Sequence, residues 1–209
     1  MSQNDSLKHK GLRKRLVETL IEKGIKDHNV LNAILKIPRH WFLDSAISEH
    51  AYQDKALAIG MGQTISQPYT VAYQTELLQI RPGHKVLEVG TGSGYQGSVL
   101  CELGAELYSI ERIKELTFKA EKQFLNLGYK PKLKVGDGSL GWPLEAPFER
   151  IIVTAAAPDL GQALFNQLKI GGILVIPVGD KVQTMYKITK KTDGSAETQK
   201  FDNFRFVPL

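Results

Sequence analysis

Through the first eighty residues the apolar positions recur at helical spacing. Leu12, Leu16 and Leu20 fall every fourth residue, with Ile21 beside them, which predicts one buried helix face. Gly24 is placed to stop that helix. Val30, Leu31, Ile34 and Leu35 predict a second, shorter helix. It ends before Pro38, because proline cannot continue the hydrogen-bond ladder. Residues 60–68 are small and polar and predict irregular backbone. A third helix is predicted over 70–78, closed by Arg81-Pro82-Gly83.

Beyond residue 81 the rhythm changes. Short apolar runs predict strands at 85–89, 106–110, 133–135, 150–154 and 172–178. Helical stretches at 95–103, 113–127 and 159–168 separate them. Strands alternating with helices imply a mainly parallel, doubly wound α/β sheet with helices on both faces. After Pro177-Val178-Gly179 the pattern shifts again. Residues 182–189 partly alternate, as an antiparallel strand does, 190–200 read as a polar turn, and 204–207 as a last strand. The expectation is one domain, with an N-terminal helical extension over 1–80 and an α/β core over 81–209.

Composition narrows the class. With 209 residues, 42% apolar and 23% charged, the chain can bury a core without disulfides or metals. No apolar run is long enough to span a membrane. Residues 1–15 are polar and basic, without the apolar segment of a secretory signal, so a cytoplasmic location is expected. Cys101 is the only cysteine and sits in an apolar run, which reads as a core thiol. The five histidines show no zinc-ligand spacing, and no metal is expected. The net charge of +5 raises the question of nucleic acid. Its basic residues Lys8, Lys10, Arg13, Lys14 and Arg15 instead suit a solvated helix face, with no aromatic residues interleaved for base stacking. No nucleic-acid or membrane partner is expected.

The sharpest local signal is Val86-Leu87-Glu88-Val89-Gly90-Thr91-Gly92-Ser93-Gly94. A buried strand runs into a glycine-rich turn and then a helix, where glycines let the backbone approach a ligand closely. Residues 92–97 match the dinucleotide pattern G-x-G-x-x-G, a weak signal alone. In the other frame an acidic residue, Glu88, precedes glycines at alternate positions. An acid at the mouth of the loop repels a pyrophosphate and attracts a cation. Two more acids follow at strand ends. Glu111 is placed to accept hydrogen bonds from two ribose hydroxyls, and Asp137, between Gly136 and Gly138, from an adenine amino group.

This second frame resembles motif I of class I S-adenosylmethionine-dependent methyltransferases. It implies a Rossmann-like methyltransferase sheet and a cofactor held by Glu88, Gly90, Thr91, Gly92, Ser93, Gly94, Glu111, Asp137 and Gly138. After the fourth core strand, base N-methylating enzymes often carry Asn/Asp-Pro-Pro-aromatic. Here that position reads Thr154-Ala155-Ala156-Ala157-Pro158, with no amide to hold an exocyclic amine.

A more specific likeness covers nearly the whole chain. It runs through residues 62–68, 86–95, Gly136-Asp137-Gly138, Gly141-Trp142-Pro143, Ala146-Pro147-Phe148, 152–158, 167–172, 175–179 and Arg205-Phe206-Val207-Pro208-Leu209. These stretches resemble the protein-L-isoaspartate O-methyltransferase family. The resemblance implies methyl transfer from S-adenosylmethionine to the free α-carboxyl of L-isoaspartyl residues in damaged proteins, with S-adenosylhomocysteine as the second product. It implies Ser66 as the catalytic residue, and Thr64, Ile65, Ser66 and Val207 as substrate contacts. A monomer is expected. Where some relatives carry histidine, this chain has Val71.

The acceptor chemistry sets the role of Ser66. A carboxylate with a pKa near ~4 is already ionised at neutral pH and needs no general base. It needs positioning in line with the donor and exclusion of water. A serine hydroxyl can donate one orienting hydrogen bond. Ser66 lies outside any G-x-S-x-G elbow, so a covalent role is not expected.

Overall fold

The computed structural model describes residues 4–209. Two helices open the fold, α1 (Leu7–Glu22) and α2 (His28–Lys36). Ser6 caps α1 by accepting from the His9 amide, and Asp27 caps α2 by accepting from the Asn29 and Val30 amides. Gly24, at φ 98°, ends α1 as the spacing predicts. The region expected to be irregular instead holds a small antiparallel hairpin, β1 (Leu57–Gly60) with β2 (Gln63–Ile65). Helix α3 (Pro68–Leu78) follows, with Pro68 in its first turn, where its missing N–H costs nothing.

The core alternates β3 (Lys85–Val89), α4 (Tyr95–Glu102), β4 (Glu106–Glu111), α5 (Lys114–Asn126), β5 (Lys132–Val135), β6 (Phe148–Val153), α6 (Gln162–Asn166) and β7 (Leu168–Val178). Two antiparallel strands, β8 (Gln183–Lys190) and β9 (Ala196–Phe204), complete it. The seven-stranded sheet has the order β5-β4-β3-β6-β7-β8-β9, parallel from β5 through β7. The chain winds outward from β3 through β4 to β5, then returns to place β6 on the other side of β3. The crevice of the fold therefore opens beyond the paired ends Val89 and Val153.

Alternation along β3 decides which way its side chains point. Leu87 and Val89 join Ile110, Ile151, Val153 and Leu164 on the α6 side. Val86 joins Leu78, Leu100, Leu107 and Phe124 under α3, α4 and α5. Glu88 shares that second face. A third cluster welds α1 and α2 to the hairpin and to α4 through Leu20, Ile34, Ile59, Ile65, Tyr95 and Val99. Fully burying such a side chain stabilises the fold by roughly 1.5–3 kcal/mol, so the N-terminal extension is part of the same body as the core.

Four expectations are corrected. Residues 190–200 are not a single polar turn: only 191–195 turn, and 196–204 form β9, an exposed edge strand with no apolar alternation to mark it. The last strand accordingly ends at Phe204, and residues 205–207 lie outside it. Beyond them, Pro208 makes a single bridge to Ala156. Helix α6 is shorter than 159–168, and β7 starts earlier than 172, because Leu168 pairs with Phe148 across an irregularity at the Gly171-Gly172 pair. The histidine spacing also hides a cluster. The ligand atoms of Asp5, His9 and His40 lie within 4.8 Å of one another. Arg13 already donates to both Asp5 oxygens, and the Tyr52 hydroxyl engages His40 Nδ1 at 2.6 Å. Among the described residues, no helix is long and apolar enough to cross a membrane.

Candidate active site

Beyond the carboxyl ends of β3, β4, β5 and β6 lies a cavity of about 530 Å³. Gly90, Glu111, Asp137, Gly138, Ala155 and Pro158 line it. A second cavity of about 590 Å³ runs along the other side, walled by Tyr69, Val182, Asn203, Arg205 and Phe206. A narrow neck of about 50 Å³ lies between them and shares lining residues with each. Gln63, Gly90, Glu111 and Ala155 belong to both the neck and the first cavity. Thr64, Ser66, Thr154 and Val207 belong to both the neck and the second. The structure thus brings together nearly all the residues singled out in the sequence. Ile65, Val71, Thr91, Gly92, Ser93, Tyr95 and Gln96 complete the neck.

Most of the backbone donors of the glycine loop are engaged within the protein. Gly90 and Thr91 amides donate to Ile110 O, Gly94 to Thr91 O, and Gly92 to Glu111 Oε2 at 2.8 Å. Gly97 lies close against Glu88 Oε2 at the start of α4. A pyrophosphate needs such amides free, and the Gly90, Thr91, Gly92 and Gly94 amides are already engaged. The glycines serve close approach instead. At Gly90, φ is 99° and a β-carbon would stand 2.5 Å from Thr154 Oγ1. A β-carbon on Gly138 would overlap Val89 Cγ1.

The acids divide by position. Glu111 is buried and accepts from Gly92 N and from Ile113 N at 3.0 Å, which fixes its carboxylate at the cavity wall. Asp137 accepts from the Ser139 hydroxyl and amide, and these bonds hold its carboxyl below the usual range. Both carboxylates retain lone pairs for hydroxyl or amino donors. Arg112, also on the cavity wall, donates to Leu209 O at 3.2 Å.

Two expected cofactor contacts sit elsewhere. Glu88 is fully buried and lines none of these cavities. Strand alternation turns it under α4, where burial pushes its carboxyl up to about 8. Gly94, at φ 84°, starts α4 and packs on Ala120 and Phe124 behind the loop. Conversely, Gln63, Thr154 and Ala155 are not among the site residues expected from the sequence. Thr154 was findable, since it follows β6, the neighbour of β3 at the crevice. Its hydroxyl donates to Gly90 O at 2.6 Å and lies 3.0 Å from Val89 O.

On the other side of the neck, Val207 is held by its carbonyl, which accepts from Ala156 N at 2.8 Å. Trp142, half-buried, packs edge-on against Tyr108 at the edge of the core and lines none of these three cavities. Burial pushes the Cys101 thiol up to about 12 and leaves it unreactive.

A parallel sheet with antiparallel last strands, a glycine-rich turn after β3 and acids at the next two strand ends define a Rossmann-like methyltransferase. Comparison with known proteins narrows this. The model of the protein-L-isoaspartate(D-aspartate) O-methyltransferase family matches residues 11–209, and the chain belongs to that family. A protein-L-isoaspartate O-methyltransferase of Christiangramia forsetii is 58% identical over 98% of this chain and 97% of its own length. One from Dictyoglomus thermophilum is 51% identical over 98% and 94%. A solved protein-L-isoaspartate O-methyltransferase superposes with a TM-score of 0.85 at 28% identity, over 94% of this chain. This chain spans 65% of that one's length. A Plasmodium falciparum structure assigned to the same enzyme, in complex with S-adenosyl-L-homocysteine, gives a TM-score of 0.81 at 26% identity, covering 94% and 97%.

Proposed function

We propose that this chain methylates the free α-carboxyl of L-isoaspartyl residues in damaged proteins and peptides, with S-adenosylmethionine as donor and Ser66 orienting the acceptor. The single observation that carries this reading is the neck. Ser66 and Val207 stand between a cavity walled by acids and a separate groove open to peptide.

The cavity fits the donor. Glu111 and Asp137 offer acceptors to hydroxyl and amino groups, and the missing β-carbons of Gly90 and Gly138 leave room at its floor. Its volume lies within the range of about 300–1,000 Å³ common to small-molecule sites. When bound there, the cofactor supplies an electrophilic methyl group on a cationic sulfur.

The chain's own residues position the acceptor. The isoaspartyl carboxylate arrives ionised, so no residue need remove a proton. Ser66 donates one hydrogen bond to the carboxylate and fixes which oxygen faces the neck. The narrow opening between Thr64, Thr154 and Val207 keeps water from competing. The methyl ester then leaves and cyclises spontaneously to a succinimide, which reopens in part to normal aspartate. The reading includes a monomeric enzyme in a cytoplasmic setting, consistent with one unreactive cysteine and no spanning helix among the described residues.

The test is transfer of labelled methyl to three acceptors: an isoaspartyl peptide, its aspartyl counterpart and RNA. The expected outcome is base-labile label on the isoaspartyl peptide alone. Label on RNA, or binding of donor without any transfer, overturns the proposal.

A further inference from the structure

Glu88 has no role in the account above, yet it is a carboxyl group with 0% exposure beneath the loop. Its Oε2 lies 2.6 Å from Ser109 Oγ and packs against Gly97. Ser109 Oγ lies 2.6 Å from Thr91 Oγ1, and Thr91 lines the neck. Glu88 Oε1 has no hydrogen-bond partner. Three side chains thus form one line from the core to the cleft.

Each hydroxyl in this line carries a single proton. With Glu88 ionised, Ser109 donates to it and accepts from Thr91, whose lone pairs are then left for the cleft. With a proton on Oε2, the direction reverses. Glu88 donates to Ser109, Ser109 donates to Thr91, and Thr91 turns its own O–H toward the cleft. A proton on Oε1 would have no acceptor, a costly state for a buried donor, so Oε2 is the protonated atom.

The surroundings leave Glu88 free to switch. Glu111, at the end of β4, is the charged side chain that acts on it, and its like charge favours the proton. Cys101 on α4 is neutral. From α5 the Phe124 ring approaches Gly97, against which Glu88 also packs. Among the described residues no cation pairs with Glu88.

We propose that Glu88, Ser109 and Thr91 form a reversible hydroxyl relay, through which a cationic methyl donor entering the cleft expels a proton from Glu88. The idea rests on the cofactor reading. A cation selects the ionised carboxylate by its field and the lone pairs of Thr91 by contact. The neutral thioether product lacks the sulfonium charge, so the same relay favours donor over product more strongly as pH rises.

Titration calorimetry in buffers of different ionisation enthalpy tests this directly. At about pH 7 the wild type is expected to release close to one proton per S-adenosylmethionine bound, since Glu88 titrates at about 8. Glu88→Gln, whose amide donates permanently to Ser109, shows only the ligand's own amine titration. Ser109→Ala keeps the carboxyl but cuts the line, and releases less than half as much. Between about pH 7 and 9 the wild-type Kd tightens about tenfold relative to Glu88→Gln. Wild type releasing no more than Glu88→Gln, or Ser109→Ala releasing as much as wild type, overturns the relay while leaving cofactor binding intact. Absence of binding in all three overturns the cofactor reading and the relay with it. Infrared spectra of the ligand-free wild type give a check that survives misfolding of either variant. A carboxylic C=O band is expected at about pH 7 that fades on adding donor, and a band that persists overturns the coupling.

Discussion

Thr154 Oγ1 donates to the carbonyl of Gly90 at 2.6 Å and fills the space where a side chain on Gly90 would begin. The two residues directly follow neighbouring strands, so this bond forms the floor of the crevice at the point where the sheet reverses its winding. Gly90→Ala is expected to cost about 1–3 kcal/mol through its positive φ and to abolish measurable binding of S-adenosylhomocysteine. Adding Thr154→Ala removes the clash but not the backbone strain, so it restores only part of the melting temperature. Thermal melts of the two variants check this.

Ser66→Ala removes one hydrogen bond to a charged acceptor, worth about 1.5–3 kcal/mol. Turnover on an isoaspartyl peptide should therefore fall by about ten- to a hundredfold. The Kd for S-adenosylhomocysteine should stay within about twofold, because Ser66 lines the neck and the peptide groove but not the cofactor cavity. Steady-state kinetics beside calorimetry separate the two. Near-wild-type turnover would remove Ser66 from the mechanism.

Glu111 and Asp137 are expected to differ in kind. Glu111→Ala strands the half-buried amides of Gly92 and Ile113, each costing up to about 1–3 kcal/mol. It should lower both stability and donor affinity, the latter about a hundredfold. Asp137 caps only an exposed turn at Ser139. Asp137→Ala should weaken donor binding about tenfold and change stability by less than about 1 kcal/mol. Paired melting and binding curves decide between these patterns.

Stability of the ligand-free enzyme should carry the signature of Glu88. Burial raises its folded pKa to about 8, above an ordinary carboxyl near 4.5. The folded state holds the proton more tightly, so this contribution is fully present below about pH 4.5. It is lost as pH rises through about 8, and amounts to a few kcal/mol. Glu88→Gln should flatten that slope. His40 and His84, whose burial lowers their pKa, act in both proteins and cancel in the difference. Denaturant melts across this range give the comparison, and equal slopes would rule the assignment out.

The sequence disclosed what periodicity can encode. Lys85–Val89 reads as a strand buried on both faces, and the glycines after it mark the loop. Glu88 was legible as important but not in its direction. A strand covered on both faces carries no polar side to orient it, and only the finished sheet shows that Glu88 lies under α4. β9 was missed because an exposed edge strand reads like a turn in hydropathy. Asp5, His9 and His40 meet only after α1 docks on the backbone near Pro38, so no spacing could announce them. The neck has the same origin: Ser66 and Val207 are far apart in the chain and join only through the fold. The likeness to a family supplied their roles before the geometry did.

That neck has a kinetic meaning. Asp137 and Pro158 line the cavity proposed for the donor, and Tyr69 and Arg205 the separate groove proposed for the peptide. Each ligand has its own door. An undamaged peptide can enter, fail to present a carboxylate and leave without disturbing the donor. One loaded enzyme can therefore inspect many sites for each methyl group it spends, which suits a catalyst whose true substrates are rare among correct ones.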